Sequence, residues 1–327
     1  MKPTVRHYFA RPIREQYLDG QPRNTATYGR PLESWRLYGK VNLYGQPVPA
    51  HVVYLSCGKA LFPPRFPSTR SSARFTVTMS IISRFAPSPT GYLHLGNAYS
   101  AWLGRTRGDI WRLRFEDIDL VRCKKEYLDA AQQDLAWLGL IWDGEIRVQS
   151  EHFSDYTKAL DALQSKDLLY PCFCTRGEIA RAQSAPHSHA RKYPGTCRCL
   201  SKSERDRKLA SGVPFALRMN TDRAASLVGP LKFFEVGTGW VHVNPHLWGD
   251  VVLARKDTPT SYHLCVAHDD AAQQISLVVR GEDLRESTHI HVLLQALLGY
   301  ETPRYLHHKV LTGADGKRLA KRHMAMA

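Results

Sequence analysis

The order of apolar and polar positions after residue 80 predicts strands and helices that alternate along the chain. Short apolar runs that end at prolines or acids predict strands, and stripes with apolar residues three or four apart predict helices. In chain order these patterns give a strand at 81–86, a helix at 97–107, a strand at 111–120, and helices at 124–140 and 152–170. Strand, helix, strand and helix in this order predict an α/β fold with a doubly wound parallel sheet.

The alternation breaks between residues 171 and 245, which predicts an inserted domain of mixed α and β structure. This span contains a basic polar stretch, SKSERDRKLASG, strand-like pieces such as PFALRMN, and four of the seven cysteines. The alternation resumes with GDVVLARKD, SYHLCVAHDD, ISLVVRGEDL and a helix at 287–299. We therefore divide this part of the chain into a first half of the main domain at 79–170, the insertion at 171–245, a second half at 246–312 and a basic loop at 313–327.

Residues 1–78 differ from the rest in composition. They hold twelve Lys or Arg against three acids and nine of the 19 prolines, without a sustained period of 2 or 3.6. We expect a poorly ordered basic leader. It could be an organelle transit peptide, although it lacks a clear amphipathic helix. The alternative, which we favour, is an upstream start codon, with Met79 as the true first residue.

The formal net charge of +15 indicates a partner that carries phosphates, either a nucleotide or a nucleic acid. Residues 1–78 account for +9 of this charge, so the remaining residues are only mildly basic. No apolar run reaches the roughly 18 residues of a membrane span, so we expect a soluble protein with no membrane partner. An odd number of cysteines without a secretory signal argues against a disulfide scaffold and favours a reducing, cytoplasmic compartment.

The junction RFAPSPTGYLHLGN, residues 84–97, separates the first strand from the first helix. A helix N-terminus presents unpaired N–H groups and the positive end of the helix dipole, so it binds anions. Gly96 in the first turn would let a phosphate or a flat base approach the backbone, and His94 could donate to a phosphate oxygen. The alternative is a structural turn with a histidine nearby.

The segment GADGKRLAKRH, residues 313–323, is the second candidate for phosphate binding. Its glycines predict a mobile loop, and Lys317, Arg318, Lys321 and Arg322 place four cations on it. A solvated basic tail would have the same composition. The combination of this loop with the junction is more specific than either segment alone.

Together the two segments resemble the signature motifs of class I aminoacyl-tRNA synthetases. HLGN stands in place of the His-Ile-Gly-His motif, and RLAKR stands in place of the Lys-Met-Ser-Lys-Ser loop. More narrowly, the chain resembles the glutamyl-Q tRNA(Asp) synthetases, which are short relatives of glutamyl-tRNA synthetase. The resemblance runs from about residue 82 to residue 322 through RFAPSPTGYLHLG, FEDID, YPCFCTR, YPGTC, DVVLARKDTPTSYHL, VVRGEDL and DGKRLAKR.

The resemblance implies a Rossmann-type catalytic domain that activates L-glutamate with ATP and Mg²⁺ and transfers it to queuosine in the anticodon loop of tRNA(Asp). Separately, we expect a monomer. The residues that would bind glutamate are Arg84, Phe85, Ala86, Pro87, Ser88, Glu116, Tyr262 and Arg280. Those that would hold ATP are His94, Gly96 and Lys321, and Asn97 completes the catalytic set. Arginines suit the two carboxylates of glutamate, and one acid suits its ammonium.

The four clustered cysteines make a structural zinc site possible. Spacing alone favours four thiolates, from Cys172, Cys174, Cys197 and Cys199. The family pattern instead implies Tyr193 as the fourth ligand and leaves Cys199 out. Two histidines, His187 and His189, are chemically easier alternatives to a phenolate. Reduced cysteines without a metal remain the plain alternative.

Two features depart from the family pattern. Asn97 occupies the place of the second signature histidine, so weaker ATP binding or a slower first step is expected. The chain stops shortly after the basic loop, so its activity is expected to be impaired. Magnesium ligands are not assigned, because Asp117 and Asp119 lie at the end of a predicted strand, where acids are just as typical of helix caps. Alternative functions are a fragment of a glutamyl-tRNA synthetase that charges tRNA(Glu), and a non-catalytic tRNA- or zinc-binding remnant.

Overall fold

The computed structural model describes residues 80–183 and 192–312, and in these ranges it contains eight α-helices and ten β-strands. The helices are α1 (Leu95–Arg107), α2 (Lys125–Trp137), α3 (Phe153–Gln164), α4 (Arg176–Gln183), α5 (Lys202–Ala210), α6 (Thr221–Val228), α7 (Tyr262–Ala272) and α8 (Ser287–Leu298). The strands are β1 (Ile82–Phe85), β2 (Ile110–Phe115), β3 (Arg147–Val148), β4 (Leu169–Cys172), β5 (Ala216–Met219), β6 (Lys232–Glu235), β7 (Gly239–His242), β8 (Val252–Ala254), β9 (Leu277–Gly281) and β10 (Arg304–His308).

Seven strands form the central sheet in the order β3-β2-β1-β9-β10-β6-β7. Neighbours are parallel except β6 and β7, which pair as an antiparallel hairpin at one edge. The predicted parallel α/β sheet is thus confirmed. Strands β2 and β3 lie on one side of β1, and β9 and β10 lie on the other. In such sheets ligands bind beyond the carboxyl ends of the strands where the strand order reverses, here between β1 and β9.

The first half of the sheet is built on an alternating apolar strand. Trp111, Leu113 and Phe115 of β2 are fully buried and pack with residues of α1 and α2, such as Ala101 and Leu135. The predicted helix at 124–140 forms at 125–137 and ends before a glycine, residue 139, whose φ is +72°. This apolar layer fixes β2, and so fixes the position of the polar residues that follow it.

Two predicted elements are shorter in the structure than in the sequence pattern. The strand predicted at 111–120 ends at Phe115, because β3 offers parallel partners only to Arg114 and Phe115. The helix predicted at 152–170 ends at Gln164, because Asp167 takes a left-handed conformation with φ +53° and the chain then enters β4. The end of the strand depends on tertiary strand pairing, and the end of the helix depends on one backbone angle.

A small antiparallel sheet, β4-β5-β8, packs beside a helical core of α3, α7 and α8. The resumed alternation predicted after residue 245 is confirmed as β8, α7, β9 and α8. The predicted insertion divides between two sheets. Its strand β5 is in the small sheet, whereas its hairpin β6–β7 joins the central sheet through β10, where Glu235 pairs with Tyr305. The boundaries of the insertion therefore stay a prediction.

Among the residues that the structure describes, no helix has the length and apolar character needed to cross a membrane.

Candidate active site

The candidate active site lies where β1, β2 and β9 end at one edge of the central sheet. Arg84 is in β1, Glu116 directly follows β2, and Arg280 is in β9. Tyr262 is the first residue of α7, and its hydroxyl is close enough to feel the charges of Arg280, Glu116 and Arg84. Burial raises the pKa of Tyr262 to about 12, so the phenol keeps its proton and can donate. The fold thus brings together four side chains that the sequence predicts as glutamate ligands.

Arg84 is buried and its guanidinium is anchored by two hydrogen bonds. Its Nε donates to Asp270 Oδ1 at 3.2 Å, and its Nη1 donates to the carbonyl of Val279 at 3.4 Å. The next predicted ligands differ in exposure: the side chains of Phe85 and Pro87 are buried, Ala86 is half-buried and Ser88 is exposed. The carbonyl of Pro87 accepts from the backbone N–H of Glu116 at 3.1 Å. This bond ties the segment 84–88 to the acid across the site.

Glu116 is 10% exposed and carries an unusual carboxyl group. Burial raises its pKa, the charges of Arg114 and Arg84 oppose this, and the net result is a pKa of about 7. The Arg114 guanidinium is the nearest cation, with Nε 3.8 Å from the carboxylate. A bound ammonium group would favour the charged form of Glu116, because an opposite charge at short distance lowers a carboxyl pKa.

Arg280 is 4% exposed and is surrounded by uncharged polar groups. Its Nε lies 3.1 Å from His307 Nε2, its Nη1 lies 3.1 Å from His291 Nδ1, and its Nη2 lies 2.7 Å from Thr288 Oγ1. Burial and the charge of Arg280 lower the pKa of His291 well below its ordinary value, so this histidine is neutral. Within the described ranges, no carboxylate lies within 4.0 Å of the Arg280 guanidinium.

Sequence reasoning did not find the side chains that hold these two arginines. They are Asp270 for Arg84, and Thr288, His291 and His307 for Arg280. A signal existed for Asp270, because a pair of acids at 269 and 270 inside an apolar helix is unusual unless both acids are paired. The three partners of Arg280 come from α8 and β10, which only the tertiary fold brings to β9.

The start of α1 is an N-capped helix in which His94 is the cap residue. Its Nδ1 accepts from the backbone N–H of Gly96 at 3.1 Å, and Asn97 Oδ1 accepts from the backbone N–H of His94 at 3.3 Å. Because Nδ1 is an acceptor, the neutral ring carries its proton on Nε2, as a hydrogen-bond donor. A Cβ at position 96 would lie 3.0 Å from the imidazole, so the glycine lets the ring adopt this position. Asn97 keeps its amide N–H groups as donors.

The two acids after β2 have structural partners. Asp117 accepts from the backbone N–H of Ser150 at 2.8 Å and from its hydroxyl at 2.6 Å, at the start of a short 3₁₀-helix. Asp119 accepts from the side chain of Arg122 at 2.7 Å on the surface. The Asp117 contact caps the first turn of that helix, whereas the Asp119 contact is an ion pair within a turn.

Three cysteines and one tyrosine meet beside the small sheet. The sulfurs of Cys172, Cys174 and Cys197 lie within 4.8 Å of one another, and the Tyr193 oxygen is 3.4 Å from the sulfurs of Cys172 and Cys174. Cys199 is exposed and does not belong to this group. The structure therefore assembles the family set rather than four thiolates.

The chemistry of this donor set fits a tetrahedral metal site. Zinc–sulfur bonds of about 2.3 Å place two thiolates about 3.8 Å apart, close to the 3.4 Å between the sulfurs of Cys174 and Cys197. The backbone N–H of Phe173 donates to Cys197 Sγ at 3.3 Å, which stabilises a thiolate there. Zinc is the metal that such a thiolate set would suit, in a structural role.

Part of the predicted site lies outside the described residues. This part comprises the basic loop with Lys317, Arg318, Lys321 and Arg322, and the alternative metal ligands His187 and His189. Their roles stay predictions.

A family model and similar sequences identify the relatives of this chain. The model for class I tRNA synthetases (E and Q), catalytic domain, matches residues 80–327. A glutamyl-Q tRNA(Asp) synthetase from Rhodobacter capsulatus is 44% identical over 261 residues, which are 76% of this chain and 93% of that protein. A glutamate–tRNA ligase from Aquifex aeolicus is 38% identical over 255 residues, which are 75% of this chain and 52% of the ligase. The chain thus spans about half the length of the longer ligase.

A solved structure supports the same relationship. The crystal structure of glutamate-tRNA synthetase from Elizabethkingia anophelis matches with a TM-score of 0.64 and 27% identity, over 75% of this chain and 53% of that one. The fold is therefore the Rossmann-like fold of the class I synthetases. The family model, the similar sequences and the site at the carboxyl ends of the parallel strands agree, and the chain belongs to the class I tRNA synthetases (E and Q), as an enzyme of the ligase type.

Proposed function

We propose that this chain activates L-glutamate with ATP to give glutamyl-adenylate, and then transfers the glutamyl group to queuosine in the anticodon loop of tRNA(Asp). The relatives at 40–44% identity are glutamyl-Q tRNA(Asp) synthetases, which supports this choice of substrates. The observation that carries the proposal is the presence of two buried arginines, Arg84 and Arg280, and one acid, Glu116, at the carboxyl ends of three neighbouring strands.

This pocket matches glutamate group by group. Arg84 and Arg280 would bind the two carboxylates, because guanidinium groups engage carboxylates in a forked geometry. Glu116 would bind the ammonium group, which favours its charged form. Tyr262 stays protonated and would donate to a carboxylate oxygen.

The first step needs positioning and neutralisation of charge more than it needs a base. An oxygen of the glutamate α-carboxylate attacks the α-phosphorus of ATP, a new P–O bond forms, and the bond to pyrophosphate breaks. The carboxylate is already ionised at pH 7, so no proton has to be removed. In the second step a queuosine hydroxyl oxygen bonds to the acyl carbon, AMP leaves, and the hydroxyl proton passes to solvent.

The N-terminus of α1 would hold ATP. The helix dipole and the Nε2–H of His94 would both face phosphate oxygens, and Gly96 would allow a close approach. Lys321 would reach the phosphates as pyrophosphate leaves. Class I synthetases use ATP with Mg²⁺, which neutralises phosphate oxygens.

We also propose that Cys172, Cys174, Tyr193 and Cys197 hold one structural zinc ion. When bound, zinc would cross-link β4 to the segment around residue 197, and it would stabilise this part of the fold without taking part in the reaction.

Glutamate-dependent ATP–pyrophosphate exchange without tRNA tests the first step. We expect exchange with L-glutamate, and we expect Glu116→Ala to abolish it, while Glu151→Ala on the surface leaves it unchanged. A folded, zinc-loaded protein without exchange would contradict the enzymatic proposal and favour a tRNA- or zinc-binding remnant.

A charging assay tests the acceptor. Queuosine-containing tRNA(Asp), the same tRNA without queuosine, and tRNA(Glu) are compared with radiolabelled glutamate. We expect label only on the queuosine-containing tRNA. Label on tRNA(Glu) alone would instead support the second candidate function, that of a glutamate–tRNA ligase, which the 38% identity to such ligases favours.

A further inference from the structure

The orientation of the Arg280 side chain is determined by three neutral partners on two elements, α8 and β10. Its Nε faces His307 of β10 at 3.1 Å, and its Nη2 faces Thr288 of α8 at 2.7 Å. A third partner, His291 of α8, faces Nη1 at 3.1 Å. Each nitrogen of the guanidinium therefore has one hydrogen-bond partner, and the group has little freedom to rotate.

The contact with Arg280 fixes the tautomer of His307. A guanidinium can only donate, so His307 Nε2 must accept and carries no proton. The ring proton is then on Nδ1, which lies 2.7 Å from Glu235 Oε2 and donates to it. Burial lowers the pKa of His307, which agrees with a neutral ring.

Glu235 holds His307 at two points. Its Oε2 accepts from the imidazole, and its Oε1 accepts from the backbone N–H of His307 at 3.0 Å. Burial raises the pKa of Glu235, but the hydrogen bonds from the His307 ring and backbone and the charge of Arg285 outweigh burial and lower it overall. Glu235 is 3% exposed and ends β6, so the edge hairpin of the central sheet fixes one end of this chain of contacts.

The remaining donors of Arg280 are suited to a ligand. Nη1 and Nη2 carry two N–H groups each, and each uses one of them on His291 or Thr288. One N–H group is left on each terminal nitrogen, as a bidentate contact with a carboxylate requires. In the described part of the chain no protein acid takes these donors.

We propose that Thr288, His307 and Glu235 are positioning residues that hold the Arg280 guanidinium in the orientation that binds a substrate carboxylate. Glu235 orients His307, His307 orients the Nε side of Arg280, and Thr288 orients the Nη2 side. This inference rests on the proposed function, which assigns Arg280 to glutamate.

A matched pair of substitutions at Thr288 tests the Nη2 side. Thr288→Val keeps the shape of the fully buried side chain and removes the acceptor, whereas Thr288→Ser keeps the acceptor. In the pyrophosphate exchange assay we expect Thr288→Val to raise the KM for glutamate about tenfold, because a hydrogen bond to a charged group is lost. The KM for ATP and kcat should stay within about twofold, and Thr288→Ser should stay within about threefold for all three constants.

A second pair at His307 tests the Nε side. His307→Leu removes the acceptor, and His307→Gln retains an amide oxygen that can accept from Arg280 Nε. We expect a rise of about tenfold in the KM for glutamate for the first variant and recovery to within about threefold for the second. His289→Gln is the matched control, because His289 lies on α8 but contacts Asn244 and not Arg280, and it should leave the constants unchanged.

The readouts separate positioning from simple loss of structure. A substitution that only unfolds part of the sample lowers kcat and leaves the KM for glutamate unchanged, and this result at both sites would overturn the proposal. An unsubstituted protein that neither exchanges nor binds glutamate in calorimetry would overturn the proposed function and the positioning role together. An unsubstituted protein that binds glutamate, with Thr288→Val and His307→Leu binding equally well, would overturn the positioning role alone.

Discussion

Two buried arginines of the central sheet have opposite surroundings. Arg114 is fully buried, and its Nη2 lies 2.6 Å from Asp270, with Glu116 and Asp269 at 3.8 and 4.0 Å from its Nε. Arg280 is 4% exposed, and its partners are a threonine and two neutral histidines.

The difference separates a structural charge from a functional one. Burial lowers the pKa of Arg114, but the charges of Asp270, Asp269 and Glu116 outweigh burial and raise it, so its charge is compensated within the fold. The charge of Arg280 has no carboxylate partner within 4.0 Å among the described residues. A buried cation without a counterion is unfavourable, and an anionic ligand would relieve this. The comparison therefore supports Arg280 as a carboxylate-binding residue.

The largest expected effect follows from removing the structural charge. Arg114→Met should lower the free energy of unfolding by about 3–5 kcal/mol, because it leaves the carboxylate of Asp270 buried with a single cationic partner, Arg84. Urea denaturation followed by circular dichroism measures the change. Arg112→Met is the matched control on the same strand, since Arg112 is only half-buried and bonds a single exposed backbone carbonyl.

The control should change the free energy of unfolding by no more than about 1 kcal/mol. A second variant, Arg114→Met with Asp270→Asn, should recover part of the loss, because the unpaired carboxylate is then neutral. Equal stability of Arg114→Met and the unsubstituted protein would show that the ion cluster is not needed for the fold.

Removal of the Arg280 charge should weaken glutamate binding without lowering the free energy of unfolding. Arg280→Met should raise the KM for glutamate about a hundredfold, since truncating one partner of a buried charged contact weakens binding by about 2–5 kcal/mol. Its free energy of unfolding should be unchanged or higher, because an uncompensated buried charge is removed. Arg280→Lys keeps the charge and loses the forked geometry, so it should lie between the two. Destabilisation of Arg280→Met as large as that of Arg114→Met would remove the distinction between the two arginines.

Glu116 contacts the structural charge of Arg114 and is also proposed to bind the substrate. Its pKa of about 7 predicts that glutamate binding depends on pH. The charged form binds the substrate ammonium group, and its fraction rises about tenfold between pH 6 and pH 8. The KM for glutamate should therefore fall about tenfold over this range, as exchange kinetics at constant ionic strength would measure. Glu116→Gln should raise the KM and abolish the dependence, and a flat profile in the unsubstituted protein would contradict a raised pKa.

The free energy of unfolding should also depend on pH through the protonation of Glu116. The folded protein holds the Glu116 proton up to about pH 7, whereas the unfolded chain releases it near the ordinary pKa of 4.5. Between these two values the folded state binds more protons, so the contribution of Glu116 to the free energy of unfolding falls as the pH rises. Denaturation of Glu116→Gln and of the unsubstituted protein at pH 5 and pH 7.5 isolates this contribution.

The local elements and the site motifs were predictable from sequence, but the partners of the site were not. The strand before Pro87 and the helix after His94 depend on local patterns, and both formed within two residues of the predicted bounds. Arg84, Glu116, Tyr262 and Arg280 were found through resemblance to a family, because their chemistry as isolated residues is not distinctive.

The partners of Arg280 come from distant parts of the chain. Glu235 and His307 are 72 residues apart and meet only because β6 pairs with β10 in the central sheet. The sequence pattern assigned β6 to an insertion, so it predicted no contact between this acid and the site. The end of the helix before Asp167 was missed for a different reason, since one residue with φ +53° stops a stripe that otherwise continues.

The smallest expected effect extends the comparison to the start of α1, where an anionic ligand is also expected. Asn97→Asp keeps an oxygen that can accept from the backbone N–H of His94 and adds a negative charge in the first turn of the helix. The charge should raise the free energy of unfolding by about 0.3–1 kcal/mol through the helix dipole. The same charge should repel the phosphates of ATP and raise its KM several-fold, with the KM for glutamate unchanged.

Asn97→His is the matched variant, because it restores the second histidine of the class signature without adding negative charge. We expect it to lower the KM for ATP or to speed the exchange reaction, and an unchanged rate would show that Asn97 is fully competent at this position. If Asn97→Asp instead bound ATP as well as the unsubstituted protein does, the N-terminus of α1 would have only a structural role, as the ion cluster around Arg114 has. If Asn97→Asp stabilises the fold but weakens ATP binding, the positive end of α1 acts like Arg280, because both then bind an anionic ligand that the fold itself does not supply.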